Sequence, residues 1–87
     1  MELKLLKAQA RNLDPIIRIG KNGVNVNVHL EVDKLLRKRK LIKIKILNNC
    51  PVEDKDGIIA TVTHASGATL VSKIGNIFCI YREKNKK

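Results

Sequence analysis

Aromatic side chains are nearly missing from this chain. Phe78 and Tyr81 make up 2% of its 87 residues, and there is no Trp. That argues against modules that hold splayed bases on aromatic platforms, such as RRM or single-strand-binding OB folds. Cysteine is sparse as well. Cys50 and Cys79 stand 29 positions apart with no Cys-x-x-Cys spacing, so the expectation is two free, partly buried thiols in a reducing compartment. His29 and His64 are isolated and match no zinc spacing, and no metal site or cofactor is expected. No run of about 18 apolar residues occurs, so no transmembrane helix is expected. The opening Met1-Glu2-Leu3-Lys4 lacks the apolar stretch of a secretory signal, and the expected location is the cytoplasm.

Acids are scarce beside bases: eight Asp and Glu against eighteen Lys and Arg, a net charge of +10. An excess of this size points to an anionic partner, either nucleic acid or a membrane surface. The chain is no disordered basic tail, because 44% of it is apolar and rich in Ile, Leu and Val. Its length allows one small domain, expected over residues 1–87 with a frayed charged tail at 83–87, and burial stabilises such a domain only marginally. A membrane-surface helix needs bulky apolar anchors, and the basic stretch here offers only Val and Leu, which a fold would bury.

Leu3, Leu6, Ala10 and Leu13 recur at helical spacing between polar residues, predicting an amphipathic helix over 2–12 that Asp14-Pro15 ends. The β-branched run Ile16-Ile17-Arg18-Ile19 reads as a strand, and Gly20-Lys21-Asn22-Gly23 as a tight turn. Residues 24–40 carry two incompatible periods. Val24, Val26, Val28, Leu30 and Val32 alternate with polar residues as in a strand, while Val24, Val28, Val32, Leu35 and Leu36 share one helical face. Ile42, Ile44 and Ile46 alternate with Lys43 and Lys45, a half-buried strand within Leu41 to Leu47. Pro51 followed by Glu53, Asp54 and Asp56 looks like a helix start, with Val52, Ile59, Val62 and Ala65 as its apolar face, Gly57 as a weak point and Gly67 as its stop. Thr69 to Ile74 and Ile77 to Arg82 flank Gly75-Asn76 as a β-hairpin. With 24–40 taken as helix, the order is α-β-α-β-α-β-β, and two strand–helix–strand units plus a hairpin predict a four-stranded mixed sheet.

Two features carry chemistry. A glycine-flanked turn between a strand and a helix lets backbone approach a phosphate, helix-start amides point at the anion, and Lys21 adds a mobile charge, as in the GxxG loop of KH domains. The second is the run Lys34, Arg37, Lys38, Arg39, Lys40, Lys43 and Lys45, twelve residues without an acid. Lysines near a helix C-terminus are favourable by dipole alone, yet within so basic a chain the run reads as a binding face beside the GxxG loop, with the acidic third helix elsewhere. No catalytic constellation is visible. Glu53, Asp54 and Asp56 are explained as helix-start acids, and His64 has no defined relation to Ser66 or Cys50.

The stretch Leu3-Lys4 with Ala8-Gln9-Ala10-Arg11-Asn12-Leu13-Asp14-Pro15-Ile16-Ile17-Arg18-Ile19-Gly20-Lys21-Asn22-Gly23, then Leu41-Ile42-Lys43-Ile44-Lys45, then Gly75-Asn76-Ile77-Phe78-Cys79-Ile80-Tyr81-Arg82, resembles the CRM domain of chloroplast RNA splicing and ribosome maturation proteins. Its single-domain members are the YhbY-like proteins. The resemblance implies a single compact α/β domain similar to the C-terminal domain of translation initiation factor 3, with helix over 24–39. It also implies that Gly20, Lys21, Asn22 and Gly23 contact RNA, that the chain is no enzyme, and that its partner is structured, precursor ribosomal RNA. Arg18, Lys34, Arg37, Lys38 and Lys40 are expected to extend the positive track, on a chain acting as a monomer. The rival readings are an Alba-like chromatin or RNA protein, which would dimerise and lack the first helix, and a ribosome-associated module whose basic run docks on protein acids.

Overall fold

A computed structural model describes residues 3–50 and 55–83 of the chain. Three helices and four strands follow in the expected order: α1 Leu3–Arg11, β1 Ile17–Ile19, α2 Val26–Arg39, β2 Leu41–Ile46, α3 Lys55–Ser66, β3 Thr69–Ile74 and β4 Ile77–Tyr81. The strands form one sheet in the order β1-β2-β4-β3. β1 runs parallel to β2, and the other neighbours are antiparallel.

Strand alternation divides the side chains between two layers. Ile17, Ile19, Ile42, Ile44, Ile46, Phe78 and Ile80 face α2 and α3, where Val32, Leu36, Ile58, Ile59 and Val62 complete the main core. On the opposite face Leu41, Val71 and Cys79 pack against Leu6 and Ala10 of α1. Cys50 is half-buried and Cys79 buried, both as free thiols. Burial pushes the Cys79 thiol up from its ordinary range, against a hydrogen bond with Ser72 that pulls it down.

The double period of residues 24–40 resolves as helix, and Asn25 is the reason. Its side chain accepts the Val28 N–H at 3.0 Å, capping α2 and leaving Val24 outside it. The helix therefore begins two residues later than the resemblance implied. Val26 and Leu30, which a strand would have paired with the other valines, stand 70% and 63% exposed, while Val32 and Leu36 are buried. The alternation was a coincidence of an N-cap and a short outward stripe.

Other expectations shift by a turn or less. Leu3 lies on the solvent side of α1, 50% exposed, so Leu6 and Ala10 anchor that helix with Leu13 half-buried beyond its end. In α3 Ile58 is buried where Ala65 was expected, because the helix faces the sheet with Ile58, Ile59 and Val62. Its expected start at Pro51, Val52, Glu53 and Asp54 lies outside the described residues, as does tail segment 84–87. Gly67 follows the last turn of α3 as expected. β4 ends at Tyr81, releasing Arg82 for another task.

Candidate nucleic-acid interface

β1 is an edge strand three residues long, and its backbone is held on one side only. The Leu47 N–H donates to the Ile19 carbonyl at 2.8 Å, and the Ile16 N–H to the Lys43 carbonyl at 2.9 Å. The chain then reverses. The Gly23 N–H donates to the Gly20 carbonyl at 2.9 Å, closing a turn with Lys21 and Asn22 at its exposed tip. Gly23 has φ +64°, a left-handed backbone that a side chain would strain. A Cβ at Gly20 would lie 3.4 Å from both Asn49 Oδ1 and the Leu47 side chain, ordinary contact with the segment after β2.

Between this turn, β1 and the first turns of α2 lies an open depression of about 400 Å³. Arg18, Lys21, Asn22, Asn25, Asn27 and Glu31 reach its lining. The first turn of α2 carries no acid, so its dipole end is not neutralised by the helix itself. Among the described residues Glu31 is the single carboxylate there, one turn further on. Asn25, Asn27 and Glu31 were not expected at the site. The signal for Asn25 was present, since an Asn just before an apolar helical face is a cap, but the competing strand period obscured it.

The expected site residues separate into groups. Gly20, Lys21, Asn22, Gly23 and Arg18 come together at the depression. Lys34 and Lys38 lie on the same flank of α2 as Asn27 and Glu31, since residues 27, 31, 34 and 38 fall within an arc of about 60°. At 1.5 Å per residue they are about 12 and 18 Å along the axis from the start of α2. Arg37 turns away to Asp33, its Nε 3.1 Å from Oδ2. Lys40 stands past the helix end with φ 66° and donates its N–H to the Leu36 carbonyl. Lys43 and Lys45 project on the α1 side of the sheet, because they alternate with the core residues Ile42, Ile44 and Ile46. The basic run is therefore not one face: α2 and β2 carry it to opposite sides of the sheet. α3 lies toward β3, away from the β1 edge, and its Asp56 pairs with Lys73.

Asp33 does double service. Arg82 Nη1 donates to its Oδ1 at 2.8 Å and to the Ser66 carbonyl at 2.9 Å, and Nη2 donates to the Asp33 carbonyl at 3.2 Å. One guanidinium thus ties the middle of α2 to the end of α3 and to the chain leaving β4. The Arg82 hydrogen bond holds the Asp33 carboxyl below the ordinary carboxylate range; partial burial opposes this and Arg37 adds to it. A lowered pKa means that the linkage stabilises the fold above the unfolded carboxyl pKa of about 4 and is lost as pH falls through the folded value. Arg82→Ala is expected to cost about 1.5 kcal/mol at neutral pH, at the low end for charged hydrogen bonds because Asp33 is partly exposed. Urea midpoints at neutral pH and near pH 3 check this, since the gap between variant and wild type should shrink in acid.

A glycine-flanked turn, a capped helix start and a basic rim thus stand together on a three-layer α/β frame. The chain belongs to the CRS1 / YhbY (CRM) domain family, whose model matches residues 1–82. It is 36% identical to the Probable RNA-binding protein YqeI of Bacillus subtilis over 83 residues, 95% of this chain and 85% of that protein. It is 34% identical to the Probable RNA-binding protein MJ0652 of Methanocaldococcus jannaschii over 93% of this chain and 60% of that protein. The solution structure of the hypothetical protein SAV1595 from Staphylococcus aureus superposes with a TM-score of 0.78 at 40% identity, covering 98% of this chain and 88% of that one.

Proposed function

We propose that this protein is a non-catalytic RNA-binding module that clamps a phosphate backbone in the depression at Gly20–Gly23 and acts as a monomer on precursor ribosomal RNA. The observation that carries the reading is the juxtaposition of Arg18, Lys21 and an acid-free helix start around one open depression at a sheet edge. Three kinds of anion-binding group converge there: mobile cations, glycine-flanked backbone and helix-end amides. Relatives whose names say that they bind RNA support the partner class. Lys34 and Lys38 continue the track along one flank of α2. Recognition works through RNA shape and phosphates, since the only aromatics are Phe78, which is buried, and Tyr81.

The combined variant Lys21→Ala with Lys38→Ala should lower the magnitude of the log–log salt slope by roughly 1.4, two phosphate contacts at about 0.7 each for single strands. Titrations of a labelled ribosomal RNA fragment across a salt series measure it. An unchanged slope and unchanged affinity would remove the track from this flank. Crosslinking in cells followed by sequencing tests the ribosomal partner, which is refuted by recovery spread evenly over all transcripts.

A further inference from the structure

The sheet face that carries α1 is only partly covered. Beside α1 runs a groove of about 560 Å³ whose lining, among the described residues, holds no acid. Lys7 and Arg11 of α1 form one wall and Lys43 of β2 reaches in from the floor. Lys73 is the remaining cation there, and it pairs with Asp56. Among the described residues Lys7, Arg11 and Lys43 have no such acidic partner.

The groove and the depression share no lining residue, and Lys45 and Arg18 lie on the strands between them. Lys45 projects on the same face as Lys43, two residues on, and its Cα partner across the sheet is Arg18. Like charges placed side by side in a sheet destabilise it unless an anion intervenes. Arg18 also lines the depression at the GxxG turn. Cations therefore run from the α2 flank past the turn, over the edge strand and into the α1 groove. Apolar side chains flank the far end: Ile74 is 77% exposed and Leu70 39%, with Ile77 beside them. Cations beside exposed aliphatic groups suit a strand whose phosphates and base faces are both accessible. A duplex is a stiff rod that will not turn around a short edge strand, whereas an unpaired strand will.

We propose, on the basis of the RNA-binding reading above, that the α1 groove holds a single-stranded RNA segment flanking the element clamped at the GxxG turn. The substrate is then a structured RNA with an unpaired extension, gripped on both sides of the β1 edge.

The test uses two RNA hairpins with the same stem, one blunt and one carrying an oligouridine extension of about eight nucleotides. Wild type should bind the extended hairpin about tenfold more tightly at roughly 0.15 M salt, the net of a few added phosphate contacts. Lys7→Ala with Arg11→Ala, two exposed sites on a helix that alanine favours, should reduce that preference to below about threefold while leaving blunt-hairpin affinity unchanged. Far-UV circular dichroism confirms that the variant is folded. Lys21→Ala should weaken both hairpins by the same factor and keep the preference. The inference is overturned if wild type shows no preference, or if the double variant keeps it. It is also overturned if an acidic peptide competes the extension away while the blunt hairpin stays bound, which would make the groove a protein-docking site. Failure of wild type to bind either hairpin overturns the RNA-binding reading itself, an outcome distinct from the others.

Discussion

Arg18→Glu combined with Lys21→Glu is expected to lower RNA-hairpin affinity about 250-fold at roughly 0.15 M salt while shifting the melting temperature by no more than about 3 °C. Each reversal removes one phosphate contact, worth about fourfold at this salt, and adds a repulsion of similar size. Folding should not suffer. Lys21 sits at the exposed tip of its turn, and Arg18 is exposed on β1 with Lys45 as its Cα partner. A glutamate at 18 would replace a like-charge neighbour with an opposite one, a change that favours the sheet. Fluorescence anisotropy and thermal melts on the same preparations separate the two effects. A loss below fivefold with an intact melt would show that the depression does not carry the phosphate.

Phe78→Ala should have the opposite profile, with stability lost first and binding lost only as a consequence. Phe78 is fully buried in β4, the strand between β2 and β3, with Ile44 and Lys73 as Cα partners. Truncating a buried phenylalanine costs about 3–5 kcal/mol through lost transfer energy and an unfilled cavity. A domain of this size has a total stability near the low end of about 5–15 kcal/mol. The variant should melt at least about 15 °C lower than wild type and be substantially unfolded at 37 °C. Calorimetry measures this directly. A drop below about 5 °C would mean that the core repacks around the gap, contrary to the close packing of Phe78 in the core beneath α2 and α3.

Much of this was legible in the residues. Ile42, Ile44 and Ile46 alternate strictly with lysines, so the strand and its buried face follow from the two-residue period alone. Gly75-Asn76 between two apolar runs identifies the hairpin for a similar reason. Residues 24–40 were not legible from period, because Val24, Val28 and Val32 satisfy a strand and a helix equally. The cap at Asn25 and the family resemblance both favour helix, and the cap is the physical cause. Arg82 shows a different limit. As one more basic residue after a strand it is unremarkable, yet it binds residue 33, forty-nine positions away, and residue 66. No local pattern encodes such a partner.

By itself the sequence determined the order of the elements, the glycine-flanked turn before α2, the excess of positive charge and the near absence of base-stacking side chains. These are local or compositional properties, governed by period, turn chemistry and residue counts. Only the tertiary structure decided which cations act together. Lys34 to Lys45 are contiguous along the chain, but a helix and a strand present side chains with different periods and lie in different layers. Lys34 and Lys38 therefore follow α2 toward the GxxG depression, Arg37 closes on Asp33, and Lys43 and Lys45 emerge on the far side of the sheet, where Lys7 and Arg11 of the distant first helix line one groove with Lys43.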